Sequence, residues 1–237
     1  MKISELQLLE RQAAEFRQKI GLSDTEAVKL KSLLLKLDIL TVFSPLSEGF
    51  SGMSLRSNRR RFMLVNCNHS KCRQHFTIAH ELYHLYFDNT GSSYNVSLGN
   101  KKADIEKKAD AFAQRFLMPA AGIRVMIPEQ ELLRGEISLS TILRIGQYFS
   151  VSNKATLNRL FDLKLISPAQ KEKYEHIAVK KTAMEYGYSP ALYEPGNTDL
   201  VIGDFGSKAR QLFEKGKISE GHYLELIHKI GKRIHED

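Results

Sequence analysis

The most informative stretch of this chain is Arg73-Gln74-His75-Phe76-Thr77-Ile78-Ala79-His80-Glu81-Leu82-Tyr83-His84. Phe76, Ala79, Leu82, Tyr83 and Tyr86 follow the spacing of one buried helix face, which predicts a helix from Arg73 to Phe87, ended by Asp88-Asn89-Thr90-Gly91. Residues four apart on a helix stand one above the other, so His80 and His84 can aim imidazole nitrogens at one ion. Glu81 sits beside the first of them, where a carboxylate reaches a metal-bound water rather than the metal, as a general base requires.

A catalytic zinc takes three protein ligands and keeps one position open, so a third ligand must come from elsewhere. Glu106 is the candidate. It lies on the next predicted helix, marked by Ile105, Ala109, Phe112, Ala113, Phe116 and Leu117 and stopped before Pro119. Asp110 follows one turn later on the same face, and the small Ala109 and Ala113 permit close helix packing. Asp104 competes with Glu106 but lies outside that one-turn pairing. Glu106-x-x-x-Asp110 resembles the gluzincin arrangement, which implies the Glu as metal ligand and the Asp as acceptor for a ligand histidine's other N–H.

Outward from these helices the chain reads as short strands and further helices. Leu6, Leu9, Ala13, Phe16 and Ile20 mark a first helix, stopped by Gly21. Ser23 and Glu26 form a capping-box pattern for a second, with Ala27, Leu30, Leu33, Leu34 and Leu37 as its apolar face. Three β-rich pieces, Ile39 to Phe43, Gly49 to Leu55 and Arg61 to Cys67, with Ser57-Asn58 as a turn, predict a small sheet. The strand Phe62 to Cys67 leads into the histidine helix and is the expected edge for pairing with an extended substrate. Helical patterns at Leu139 to Phe149 and Lys154 to Leu163, joined through Ser150-Val151-Ser152-Asn153, have a helix-turn-helix spacing. A turn-rich patch from Tyr188 to Asp204 precedes helical patterns at Ala209 to Lys215 and His222 to Ile234. The expected fold class is α+β: residues 1–125 with the sheet and ligand helices, 126–175 as the helix-turn-helix-like segment, and 176–237 as a helical extension of open role.

A composition of 42% hydrophobic and 26% charged residues over 237 positions excludes collagen-like, low-complexity and wholly disordered chains. The most apolar run, Leu30 to Phe43, is broken by Lys31, Lys36 and Asp38 and cannot span a bilayer; Glu5, Glu10, Arg11 and Glu15 interrupt any secretory h-region. With Cys67 and Cys72 as its two cysteines, the chain is expected in a reducing cytoplasm. Residues 1–125 hold 19 basic and 12 acidic side chains, 126–175 hold 7 and 6, and 176–237 hold 9 and 9, so +7 of the net charge of +8 comes from the first half. Lys154, Thr156, Asn158 and Arg159 could face a DNA major groove and make the chain a DNA-binding regulator. A DNA reader concentrates surplus charge on its reading module, however, and this one has almost none, so direct DNA binding is not expected.

Other signals are weaker. Cys67, His69 and Cys72 are too few, and wrongly spaced, for a second metal site. His75 is rotated about 140° from His80 and reads as a surface or capping group. Arg59-Arg60-Arg61 reads as a solvated turn, with contact to an acidic partner as the alternative. Tyr94 and Arg124 flank the ligand helices and are the candidates for an additional oxyanion donor.

Taken together, Gly52-Met53-Ser54, Leu64-Val65-Asn66, the run from Arg73 to His84, the run from Glu106 to Ala113, Phe116-Leu117-Met118-Pro119, Val151-Ser152 and Arg159-Leu160-Phe161-Asp162-Leu163 resemble the ImmA/IrrE family of metallopeptidases over about residues 1–165. The resemblance implies a zincin-like, gluzincin-type domain in which His80, His84 and Glu106 bind zinc, with manganese as the other candidate, and Glu81 is the base. It further implies a cytoplasmic bacterial or phage endopeptidase that cleaves a helix-turn-helix repressor, derepressing a mobile element or stress regulon. Tyr83 departs from the family, which often has glycine there, and is expected to narrow the cleft. A metal-bound but inactive interaction module would keep the same ligands and stands as an alternative.

Overall fold

A computed structural model gives the structure of residues 2–57, 60–88 and 99–230. Helix α1 (Ile3–Lys19) buries Leu9, Ala13 and Phe16, an amphipathic stripe facing the core. The second helix starts later than the Ser23 pattern predicts. The capping-box hydrogen bonds form, Glu26 N to Ser23 Oγ at 3.2 Å and Ser23 N to Glu26 Oε1 at 3.3 Å, yet the chain bends through them and α2 covers only Leu30–Lys36. Arg17 is the cause. Its buried guanidinium donates to the carbonyls of Ser23, Glu26 and Phe116, so oxygens that would accept helical bonds are already turned inward.

Four strands, β1 (Ile39–Ser44), β2 (Gly52–Ser57), β3 (Arg60–Asn66) and β4 (Val201–Ile202), form one sheet in the order β2-β3-β1-β4. β1 and β3 run parallel, from Ile39 opposite Arg61 to Ser44 opposite Asn66, while β2 and β4 are antiparallel to their neighbours. β3 is therefore interior, which corrects the expectation that Phe62 to Cys67 forms an edge: β1 covers its far side, and the edge beside the histidine helix is β2. Two-residue β4 is too short to show alternation in the sequence.

The remaining helices are α3 (Lys71–Tyr86), α4 (Gly99–Leu117), α5 (Ala120–Met126), α6 (Glu129–Arg134), α7 (Leu139–Phe149), α8 (Asn153–Asp162), α9 (Pro168–Glu175), α10 (Val179–Glu185), α11 (Phe205–Glu214) and α12 (Glu220–Ile230). The protein is thus a mixed α+β structure with a small four-stranded sheet. Among the described residues, no helix is long and apolar enough to cross a membrane. Asn58, Arg59, the Asn89 to Gly91 stop and the end of the His222 to Ile234 pattern lie outside the described residues.

α3 packs between the sheet and α4, and an aromatic cluster locks the two helices to α1. Phe112 and Phe116 stack at 5.7 Å between ring centroids, with Phe16 tilted against both. The N-terminus of α3 is braced from far along the chain: Lys71 N donates to Glu194 O at 2.9 Å, and buried Gln74 donates to Gly196 O at 2.9 Å while accepting from Asn197 Nδ2 at 2.8 Å. His75 caps α7, its Nδ1 3.0 Å from the carbonyl of Ser150, whose φ of 56° ends that helix. Ser152 caps α8, accepting from Ala155 N. On α8, Thr156 and Arg159 are fully buried, so of the four side chains offered to a DNA groove only Lys154 is exposed and Asn158 half-buried. Helical periodicity places Arg159 with Leu160 and Thr156 on the inward face, where Met118 O and the Glu10 carboxylate receive its guanidinium.

Candidate metal centre

α3 and α4 bring three donor groups to one point. His80 Nε2 lies 3.1 Å from Glu106 Oε2 and 3.2 Å from His84 Nε2, and His84 Nε2 lies 3.8 Å from Glu106 Oε2. Ligand bonds of about 2.0–2.2 Å at tetrahedral angles set neighbouring donor atoms about 3.3–3.6 Å apart, so two imidazoles and a carboxylate at these separations suit a tetrahedral divalent ion with a fourth position open. Among the described residues this is the one such group, its donor atoms within 4.8 Å of one another. Asp104 is exposed and stands outside it.

Both histidines are held from behind. His80 Nδ1 is 2.9 Å from Asp110 Oδ1, and His84 Nδ1 is 3.0 Å from Asp88 Oδ2. An Nδ1–H donated to a carboxylate leaves the Nε2 lone pair facing the centre, which is the tautomer a ligand needs. The Asp88 contact was not anticipated, although it sits four residues after His84, the same one-turn step that relates His80 to His84. Ser54 was also missed: its hydroxyl donates to Glu81 Oε2 at 2.7 Å from strand β2, a contact that no spacing along α3 announces. The close approach of β2 to α3 requires Gly52, where a Cβ would fall 2.5 Å from Thr77 Cγ2 and 2.8 Å from Leu64 O.

Glu81 is only 4% exposed, and burial pushes its carboxyl above the ordinary carboxylate range, with the Ser54 hydrogen bond and the flanking histidines offsetting part of the rise. Burial disfavours charge on His80, but the carboxylates of Asp110 and Glu106 outweigh it and raise its pKa to about 9. Burial likewise opposes charge on His84, and Glu106 and Asp88 raise it. Hydrogen bonds from the two histidines hold Glu106 far below its usual value. Protons and a divalent cation compete for these same donor atoms, so metal uptake here releases protons and weakens as pH falls.

The centre opens to a cleft of about 800 Å³ bordered by Phe50, Met53, Arg73, Phe76 and Thr77. Tyr83 is not on its wall. Its ring stacks on Phe87 at 5.8 Å and tilts against Phe112 at 5.6 Å, so the expected narrowing does not occur; on α3 it points to the core, away from the ligand face. Arg124 is exposed on α5 and does not border the cleft, because the turn at Pro119 redirects the chain before it; Tyr94 lies outside the described residues. Cys67 and Cys72 are free and buried, and His69 Nε2 faces the carbonyl of Glu48 at 2.9 Å. Arg61 lies over the Tyr86 ring, 4.8 Å from its centroid, instead of standing free in a solvated turn.

No curated protein matches the chain at a significant level. A family model does: that of the IrrE N-terminal-like domain (Peptidase_M78), over residues 35–161, which takes in β1 to α8 and both ligand helices. The histidine pair, the carboxylates behind it and the helices that carry them all fall within that span, and the chain belongs to the IrrE N-terminal-like family of peptidases.

Proposed function

We propose that this chain is a zinc-dependent endopeptidase of the gluzincin type, with His80, His84 and Glu106 as metal ligands, Glu81 as general base, and Asp110 and Asp88 positioning the histidines. The observation that carries the reading is the convergence of three donor atoms within 4.8 Å beside a buried carboxylate on the same helical turn. When bound there, zinc polarises a scissile carbonyl and brings the pKa of water toward about 7. Hydrolysis adds one water across the amide: Glu81 accepts a proton as the oxygen bonds to the carbonyl carbon, then delivers it to the leaving nitrogen as the C–N bond breaks. Ser54 holds the Glu81 carboxylate in the orientation this transfer needs. β2, the edge strand of the sheet, borders the cleft at Gly52 and Met53 and is where an extended polypeptide would add. Manganese is the alternative ion for the same donor set.

The family resemblance makes a helix-turn-helix repressor of a mobile element or stress regulon the proposed substrate, with the cytoplasm as the compartment. We read α7 and α8 as a helix-turn-helix-like segment that serves the enzyme rather than DNA, because two of its four groove-facing candidates are spent in the core. Co-expression with the helix-turn-helix repressor encoded nearest to this chain, followed by immunoblotting, tests the substrate. The repressor is expected to be shortened by the wild-type chain and to stay intact with Glu81→Gln. An uncut repressor beside wild-type protein that cleaves casein would remove this substrate assignment.

A further inference from the structure

A second groove, of about 670 Å³, continues from the metal cleft and shares Arg73, Phe76 and Asp110 with it. It runs between the start of α3 and α8, over α4. Its floor is apolar, built from Leu6, Phe76, Ala111 and Ala155. Its rim carries Arg73, Lys107 and Lys154, all exposed. The carboxylates in the groove are already engaged, Asp110 by His80 at 2.9 Å and Asp162 by Arg115 at 4.0 Å. Among the described residues, no carboxylate lies within ion-pair distance of Arg73, Lys107 or Lys154, whereas the adjacent Lys108 pairs with Glu5 at 3.9 Å.

We propose that this groove is the specificity site of the enzyme, and that it seats a substrate segment carrying an apolar side chain next to acidic ones, on one side of the scissile bond. The proposal rests on the peptidase reading above. An extended peptide lying over the metal centre passes Phe76 directly into the groove, because that ring borders both cavities. The apolar floor takes a Leu-sized side chain away from water, and three cations that have no carboxylate partner among the described residues, Arg73 donating only to the Ser51 hydroxyl at 3.1 Å, meet carboxylates on the flanking positions. Single-stranded nucleic acid would satisfy the same cations, but it needs successive stacking rings, and among the described residues Phe76 is the one aromatic side chain bordering the groove.

Fluorescence anisotropy with the Glu81→Gln chain in zinc-containing buffer tests this without any turnover. The probes are short fluorescein-labelled Gly/Ser peptides carrying either Leu-Glu-Glu or Leu-Lys-Lys, with a labelled single-stranded oligonucleotide of equal length as a third. The acidic peptide is expected to bind about tenfold tighter than the basic one, by a margin that shrinks as salt is raised. Replacing both Lys107→Glu and Lys154→Glu, each exposed and so compatible with folding, should abolish or reverse that preference. Equal affinities, no binding of either peptide, or an acidic preference untouched by the double replacement would overturn the proposal. So would an oligonucleotide that displaces the acidic peptide and loses its own binding in the double variant. Wild-type incubation with casein separates the two readings: uncut casein together with an intact acidic preference removes the peptidase and leaves the peptide groove standing.

Discussion

Two polar clusters are buried against α4, and they have opposite characters. Along one side, His80 Nε2, His84 Nε2 and Glu106 Oε2 converge on one point and open to a cleft. Along the other, Glu10 of α1 receives Arg159 of α8 at 3.0 Å and lies 3.2 Å from Arg115 of α4, and Met118 O takes a further bond from Arg159. With Asp162 4.0 Å from Arg115, two carboxylates balance two arginines in the second cluster, and no shared point is left between donors, so it is a clamp holding α1, α4 and α8. The first is satisfied only by protons or by an ion. What separates a site from a clamp in this molecule is whether the polar atoms converge, since burial and charge are common to both.

The comparison can be broken by variants on each side. Glu81→Gln keeps the shape of the side chain and removes the base; turnover on casein is expected to fall roughly 100- to 10,000-fold. Loss of less than a factor of two would take Glu81 out of the proposed mechanism. The carboxylates behind the histidines come next. Asp88→Ala and Asp110→Ala should each weaken zinc affinity by roughly 10- to 100-fold. Asp88 is 6% exposed and Asp110 60%, so the larger loss belongs to Asp88; competition titration against a zinc-binding dye gives the order, and equal or inverted losses would show that burial does not set it.

On the clamp side, Arg159→Ala should cost about 1.5–3 kcal/mol in a denaturant melt, because Met118 O loses its donor while Glu10, 39% exposed, stays partly hydrated. Zinc affinity should hardly change, and a large drop in it would mean that the two clusters act as one.

The smallest expected effect is one of pH on metal-free protein. His80 has a folded pKa of about 9 against about 6.5 when unfolded, so its contribution to stability is complete below about pH 6.5 and is lost as pH rises through about 9. Melting of chelator-treated protein across that window should show Tm falling with pH, and zinc-loaded protein should not share the fall. A Tm that rises with pH in the metal-free chain would contradict the charge balance described for His80.

The two helices and the grouping of His80, His84 and Glu106 were legible because the signals are local: His80, Glu81 and His84 lie within five residues, and Glu106 and Asp110 within about one turn of the next helix. Asp88 obeyed the same rule and was read only as part of a helix stop. Ser54, the Arg17 carbonyl contacts and β4 were not legible, since each depends on a partner distant in sequence that periodicity does not name. The strand Phe62 to Cys67 was expected at an edge for the same reason, because interior and edge strands of a short sheet have similar composition and only pairing distinguishes them. Arg159 shows the converse error. A cation on a short helix suggested an exposed reading face, and the acidic partner that drew it inward sits on α1, 149 residues away.

The most direct test of the account is the metal content of the purified chain and of His84→Ala, measured by mass spectrometry after dialysis and confirmed by zinc titration calorimetry. The converging cluster predicts one divalent ion per wild-type chain and a loss of binding beyond detection in the variant, with folding judged intact by circular dichroism. Full retention of the ion in His84→Ala, or a folded wild-type chain that takes up none, would contradict it.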